Sequence, residues 1–371
     1  MFLDLLGFTA ILVDFQFRAE RMQAPGWMIG AILASSFIVQ ALVSPAWGRA
    51  SDKWGRRPVF LICCLFSAGS MVIYAFAPSL IFLLVSRIFS GLGAANTAIA
   101  QAVVTDSWSG EERTAALGRL SAAQTLGMVL GPAAGGFAMH QLGSTTASLI
   151  AASLSFLGCL LAVFWGDFKS GQLEVTERKY GFFSLVRDFP SVLPLFLGAV
   201  TAWFSLAMLE GTFGRLIGRT LGLGEKEFGL IFAFESIVWV GVSAFLLSPI
   251  LKLGREKHTL SFSYILMGIG LALFPFAPSM LLLFGCSFLY AMGQGFASPA
   301  VNALCSKEAG EDRQGELFGL LQGARSIGFV LGPILGGALF DLYHPGPYLV
   351  AGLACAAAAL VVQIPVRKAA A

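Results

Sequence analysis

The chain has 371 residues, 57% of them hydrophobic and only 12% charged, with a mean hydropathy of +0.79. Soluble domains carry about 25% charged and about 45–50% apolar residues, so this balance excludes an ordinary soluble protein and points to the membrane. A net charge of +3 excludes a strongly basic nucleic-acid binder.

Twelve apolar runs bounded by charge, Gly or Pro are long enough to be read as membrane-spanning helices. The first six lie near 1–17, 27–47, 58–76, 79–103, 116–138 and 146–165. The second six lie near 192–214, 228–250, 259–277, 280–304, 317–339 and 347–366. The expected fold is therefore an all-α membrane protein of twelve helices in two six-helix, pseudo-symmetric bundles, 1–165 and 191–371. They are joined by a polar linker over 166–190 that carries Asp167, Lys169, Glu174, Glu177, Arg178, Lys179, Arg187 and Asp188. The N-terminus shows neither a basic region nor a small-residue cleavage site, so no signal peptide is expected.

Ionisable residues inside spans are few, and each is costly in hydrocarbon, about 2.5–3.5 kcal/mol on insertion scales. The first span holds Asp4 and Asp14, and Asp14 lies near its outer end, where hydration is expected. Between spans two and three, "GRASDKWGRRP" concentrates five charges in a loop, with Gly48 and Gly55 permitting close approach and tight turning. Span four contains Arg87, with Asn96 and Gln101 further along and Asp106 at its end. Span five carries Gln124 and then "GMVLGPAAGG", which sets Gly127, Gly131, Gly135 and Gly136 at near-helical spacing around Pro132. Small residues there let helices meet backbone to backbone, and proline bends the rod. That face serves either ordinary packing or a rocking motion.

In the second half, Glu210 lies toward the outer end of span seven, where hydration is expected, and Phe234, Glu235 and Trp239 lie in span eight. Gln294 follows in span ten, and Gln322 and Arg325 in span eleven, Arg325 about 12 Å from the span's start at 1.5 Å per residue. "GFVLGPILGG" follows with Gly332 and Pro333.

The two halves repeat. "FAPS" recurs at 76–79 and 276–279, "EERTAALG" from Glu111 returns as "EDRQGELFG" from Glu311, and the two Gly-Pro motifs match at an offset of 201. An offset that holds at 200 to 201 through loops and helices argues for a duplicated six-helix unit. The same offset pairs Gln124 with Arg325 at mid-depth, where such folds place substrate sites. Both are expected to line a central cavity. Asn96, Gln101, Gln294, Gln322, Phe234 and Trp239 are further cavity candidates. Glu235 is a candidate counter-charge to Arg325, either at that site or in a structural pair sealing the half. If both termini are cytoplasmic, sixteen Lys and Arg face inward against five outward, a clear positive-inside bias.

Three motifs carry a family resemblance. "GRASDKWGRRP" resembles the signature between helices two and three of the major facilitator superfamily. "SRIFSGLGAANTAIAQA" is similar to its fourth-helix motif, and "GMVLGPAAGG" to its antiporter fifth-helix motif. "FLDLLGF" and "MLEGTF" resemble the bacterial drug:proton antiporter branch, which includes tetracycline exporters. The resemblance implies a latch, in which Asp52 meets the start of helix eleven near 315–317 and Arg56 pairs with Asp52 or Asp106. Topology alone, basic loops facing inward, accounts for Lys53 and Arg57. The resemblance further implies proton coupling through Arg87, and a carboxylate that alternates between proton and substrate; Asp4, Glu210 and Glu235 are the candidates.

The function these features imply is proton-coupled export of amphipathic small organic compounds by alternating access. The cargo is a small molecule, protons and the lipid bilayer are the other partners, and the protein is a monomer in the inner (plasma) membrane. A metabolite or organic-anion carrier of the same fold is the alternative within transport. A non-transporting receptor or scaffold is the alternative outside it, although no soluble sensory domain is present. Nothing suggests an enzyme, a metal or a cofactor. The three histidines (His140, His258, His344) are scattered, and no GxxxxGK[ST] loop is present. The six cysteines (Cys63, Cys64, Cys159, Cys286, Cys305, Cys355) show no CxxC spacing and read as small buried hydrophobes.

Overall fold

A computed structural model describes residues 1–165, 192–246, 256–309 and 314–364. Described residues form helices because hydrocarbon offers the backbone no hydrogen-bond partner other than itself. In chain order these are α1 (Phe2–Arg21), α2 (Gly26–Trp54), α3 (Arg56–Ala75), α4 (Leu80–Gly93), α5 (Asn96–Ser107) and α6 (Gly110–Trp165). They continue as α7 (Val192–Leu221), α8 (Glu225–Gly241), α9 (Glu256–Leu273), α10 (Met280–Ala309), α11 (Gln314–Leu342) and α12 (Gly346–Val361). A π-helical turn, Val242–Leu246, ends α8, and a 3-10 turn, Phe274–Phe276, follows α9.

Among the described residues, nine helical segments are long and apolar enough to cross a membrane. One of them, Ala115–Ala162, has 48 residues, about 72 Å at 1.5 Å per residue and more than twice a hydrocarbon core. It is two rods broken at Gly143, whose φ of 79° and ψ of 160° lie outside helical space. With α1 and the shorter apolar α12, the pattern is consistent with twelve spans.

Three boundaries differ from the sequence expectation for physical reasons. The charged stretch after span two is not a loop: α2 runs on to Trp54 and α3 begins at Arg56. Lys53 thus sits in the last turn of α2, where the helix dipole favours a cation, and Gly55 alone makes the turn at φ 95°. Span four is split at Ala94–Ala95 into α4 and α5. Gly91 and Gly93 there lie against the backbones of α2 and α3, with a Cβ at Gly93 falling 2.7 Å from Ser67 N. Finally, α8 closes in a π turn, and 247–255 fall outside the described residues, as does the expected linker at 166–190.

The chain divides into two compact units. Unit 1 is Met1–Ala24, Ala31–Val175 and Ile217–Ala233; unit 2 is Pro25–Gly30, Thr176–Leu216 and Phe234–Ala371. Each unit therefore recruits a short segment from the other half of the sequence. In unit 1 a buried core of Val59, Phe60, Cys63, Cys64, Ala95, Ile99 and Cys159 ties α3, α5 and α6 together. All six cysteines are free and buried.

Candidate functional site

Unit 1 places two carboxylates on one helix, ten residues apart. Asp4 is 7% exposed and accepts hydrogen bonds from Ser67 of α3 (2.6 Å), Asn96 of α5 (2.6 Å) and Ser155 of α6. The break between α4 and α5 is what begins a helix at Asn96 and sets its amide at Asp4. Asp14, expected to be hydrated, is instead 1% exposed. It accepts from Tyr74 Oη (2.8 Å), from Ser144 Oγ, and from Arg21 (2.7 Å), and the ion pair to Arg21 offsets its burial. Arg21 also reaches Glu225 at 2.9 Å, and Arg219 pairs with Glu20, so the 217–233 segment is tied to α1 by charge.

Arg87 lies against the Phe8 and Phe15 side of α1 and is 1% exposed. Its guanidinium stands over the rings of Phe15 (5.4 Å), Tyr74 (5.8 Å) and Phe8 (5.9 Å), and its Nε has no hydrogen-bond partner among the described residues. Three π-faces within about 6 Å give a cation–π cage.

Around the signature between α2 and α3, Arg56 takes both expected partners at once. It pairs with Asp52 and donates from Nε to Asp106 at 2.9 Å, with a further bond to Ser51 Oγ at 2.6 Å. The Asp106 side chain is wholly buried, whereas that of Asp52 is 42% exposed. Gly48 does not serve close approach among the described residues, since a Cβ there would meet nothing within 4 Å. The side chains of 315–317 lie outside the described residues.

The glycine motifs do bring backbones together. A Cβ on Gly127 would fall 2.7 Å from Phe2 O, one on Gly131 2.9 Å from Leu6 O, and one on Gly135 2.5 Å from the backbone of Ala10. Gly136 and Pro132 meet Glu225 and Gly229 of α8 instead. Unit 2 repeats the arrangement: Gly328 and Gly332 lie on Trp203 and Phe204 of α7, while Pro333 and Gly337 meet Gly30 and Gly26 of α2. At that end Asp341 pairs with Arg215 (2.9 Å) and accepts the Gly26 N–H.

Gln124 and Arg325 each lie three residues before the first glycine of their motif. Gln124 Nε2 is buried without a partner among the described residues. Arg325 lies over Trp203 (4.9 Å) and Phe329 (5.5 Å). The carboxylate within electrostatic reach of Arg325 is Glu210 of α7. Glu235, expected as its counter-charge, looks to Ser287 and Tyr290 of α10 and to Glu210. Asn96 is engaged by Asp4, and Gln101 and Gln322 are exposed. Phe234 stacks edge-on with Phe284 at 5.1 Å, and Gln294 is buried with Oε1 unpartnered, as is Trp239 Nε1. Sequence reasoning missed Ser67, Ser155 and Tyr74, which hold the α1 carboxylates, because a lone Ser or Tyr in an apolar run carries no signal of its own. No group of His, Cys, Asp and Glu able to hold a metal occurs among the described residues.

A family model of the Major Facilitator Superfamily matches residues 1–209 and 195–370. Multidrug resistance protein 1 of Bacillus subtilis (strain 168) is 26% identical over 355 residues, 95% of this chain and 90% of that protein. Tetracycline resistance protein, class C, of Escherichia coli is 30% identical over 324 residues, 84% and 79% of the two chains. Among solved structures, the nucleoside transporter NupG superposes with a TM-score of 0.74 at 16% identity, covering 97% of this chain and 95% of that one.

Proposed function

The chain belongs to the Major Facilitator Superfamily, and from that premise we propose that it exports amphipathic small organic compounds, of the multidrug or tetracycline kind, in exchange for protons. The observation that carries this reading is the set of ionisable side chains held at depth in apolar helices: Asp4 and Arg87 in unit 1, and Glu210, Glu235 and Arg325 in unit 2. Charge so placed is expensive and is characteristic of ion and substrate pathways. Two relatives named for drug and tetracycline resistance support the cargo class.

In this reading a carboxylate alternates between proton and cargo as access alternates, while Asp52, Arg56 and Asp106 latch the α2–α3 end. In unit 2, Arg325, Gln294, Phe234 and Trp239 supply the cavity wall. The protein works as a monomer in the plasma membrane with both termini cytoplasmic, and makes or breaks no bond in its cargo. An organic anion paired with Arg325 would have to compete with Glu210, which lies within electrostatic reach of that arginine.

The test is transport in proteoliposomes under an imposed pH gradient with cationic, neutral and anionic aromatic compounds. Gradient-driven movement of at least one compound is expected. Gradient-insensitive uptake of a single metabolite, or no flux of any compound, contradicts the proposal.

A further inference from the structure

The buried carboxylates are not equivalent in what surrounds them. An ionised carboxylate only accepts hydrogen bonds; once protonated, one oxygen becomes a donor. Asp4 is met by three donors, two serine hydroxyls on Oδ1 and the Asn96 amide on Oδ2, so a proton on it would require a serine hydroxyl to turn from donor to acceptor or the amide to flip. Asp14 is met by Tyr74, Ser144 and the Arg21 guanidinium. Glu210 has Arg325 within electrostatic reach.

Glu235 differs on every count. It is 7% exposed, its Oε1 has no hydrogen-bond partner, and the nearest ionisable carboxylate, Glu210, is a like charge. Helix α8 runs alongside α10 in parallel: Phe234 meets Phe284, and Ser243 bonds the carbonyl of Gly295 at 2.9 Å. Ser287, Tyr290 and Gln294 recur on one face of α10 at three- and four-residue steps, and Trp239 stands one turn beyond Glu235 on α8. Ser287 Oγ, Tyr290 Oη, Gln294 Oε1 and Trp239 Nε1 are all buried without a partner among the described residues. An anion with the Ser287 hydroxyl as its one neighbouring donor among the described residues and no counter-ion is costly to bury, and so is each unpaired polar atom beside it. Such a cluster is stable when something brings positive charge and hydrogen bonds to it.

Resting on the transporter reading above, we propose that Glu235 is the exchanging carboxylate. It takes alternately a proton and the cationic centre of an aromatic compound, with Ser287, Tyr290, Gln294 and Trp239 as its cradle, while Asp4 is a structural carboxylate that joins α1 to α3, α5 and α6. The cradle suits an aromatic cation: the carboxylate meets the charge, the Trp239 and Tyr290 rings offer π-faces, and the unpaired hydroxyls adapt to the cargo's polar atoms. The exchange balances. A proton arriving on the carboxylate releases the cation, and loss of that proton to water on the other side restores the anion for the next cation. The groups facing Glu235 are Ser287 and Tyr290 from α10 and Glu210 from α7; Arg325 of α11 faces Glu210 instead.

The test is infrared difference spectroscopy of the purified full-length protein between acid and neutral pH. The expected result is a carbonyl stretch of a protonated buried carboxyl group that Glu235→Gln removes and Asp4→Asn leaves in place, with Tyr290→Phe and Ser287→Ala shifting it. Adding tetraphenylphosphonium should discharge the same band in the wild type. A band lost in Asp4→Asn and kept in Glu235→Gln, or no such band in the wild type, overturns the inference. Should Glu235→Gln not fold, an unshifted band in both Tyr290→Phe and Ser287→Ala overturns it equally. In proteoliposomes, Glu235→Gln should lose gradient-driven efflux of ethidium down to the leak of empty vesicles. A wild type that moves no compound sinks the transporter reading, whereas the infrared band judges Glu235 on its own.

Discussion

Replacing Gly135 by Ala tests the packing account most sharply. The added Cβ would sit 2.5 Å from both the Cα and the carbonyl oxygen of Ala10 and 2.8 Å from its carbonyl carbon. Ordinary Cβ contacts begin near 3.4 Å, so α6 and α1 must separate by 3.4 minus 2.5, or 0.9 Å, and the obstructing atoms are backbone that cannot rotate away. Overpacking of this kind costs about 1–3 kcal/mol. Ala is better than Gly in a helix interior by roughly 1 kcal/mol, leaving a net loss of up to about 2 kcal/mol. The repeat-related Gly336→Ala meets the Met208 Cγ at 2.9 Å and the Thr212 Cγ2 at 3.3 Å, side-chain atoms that can shift, so its loss should be smaller. Gly285→Ala in α10 meets nothing within 4 Å among the described residues and should be neutral or stabilising. Thermal unfolding in detergent, followed by monodispersity on a sizing column, should rank the three in that order. Equal melting of Gly135→Ala and Gly285→Ala would refute the reasoning.

Other consequences are as direct. Arg56→Ala strands the wholly buried Asp106 side chain without its ion pair and should cost about 3–5 kcal/mol, whereas Asp52→Asn, at a half-exposed site, should cost no more than about 1 kcal/mol; denaturant unfolding of both variants checks the contrast. Asp4→Asn should destabilise by about 1.5 kcal/mol or more. With one acceptor oxygen left, either both serine hydroxyls must turn from donors to acceptors, or the Asn96 amide must flip and give up its 3.3 Å bond from Thr97; an unchanged transition in calorimetry would contradict this. The six cysteines should resist a membrane-permeant maleimide until the protein is unfolded; rapid labelling of the folded protein, read by mass spectrometry, would contradict their burial.

The helices were legible in the sequence because hydrocarbon imposes one length and one hydrogen-bonding solution on every span. The repeat was equally legible: the offset of 201 that matches Gly135 to Gly336 also matches their settings, each on the first helix of its half. Local capping decided what the sequence could not place. Helix α2 absorbs the charged stretch because nothing before Gly55 stops it, and span four is divided at Ala94 and Ala95, next to the close contacts of Gly91 and Gly93, with both alanines still in right-handed helical φ/ψ. The partners of buried charges were the least legible. The donors to Asp4 come from positions 67, 96 and 155, and the residues around Glu235 from a helix fifty positions away. Only tertiary convergence makes them neighbours. Glu235 and Arg325 are opposite charges of similar depth, and sequence alone had no means to learn that Glu210 stands opposite the arginine instead.

The central claim is that proton movement and cargo movement are one process, and reverse coupling tests it most directly. Proteoliposomes loaded with ethidium and a trapped pH dye, started with no pH gradient, should acidify inside as the compound leaves, and nigericin should abolish the signal. Ethidium leaving at the protein-dependent rate while the internal pH stays constant would contradict the account.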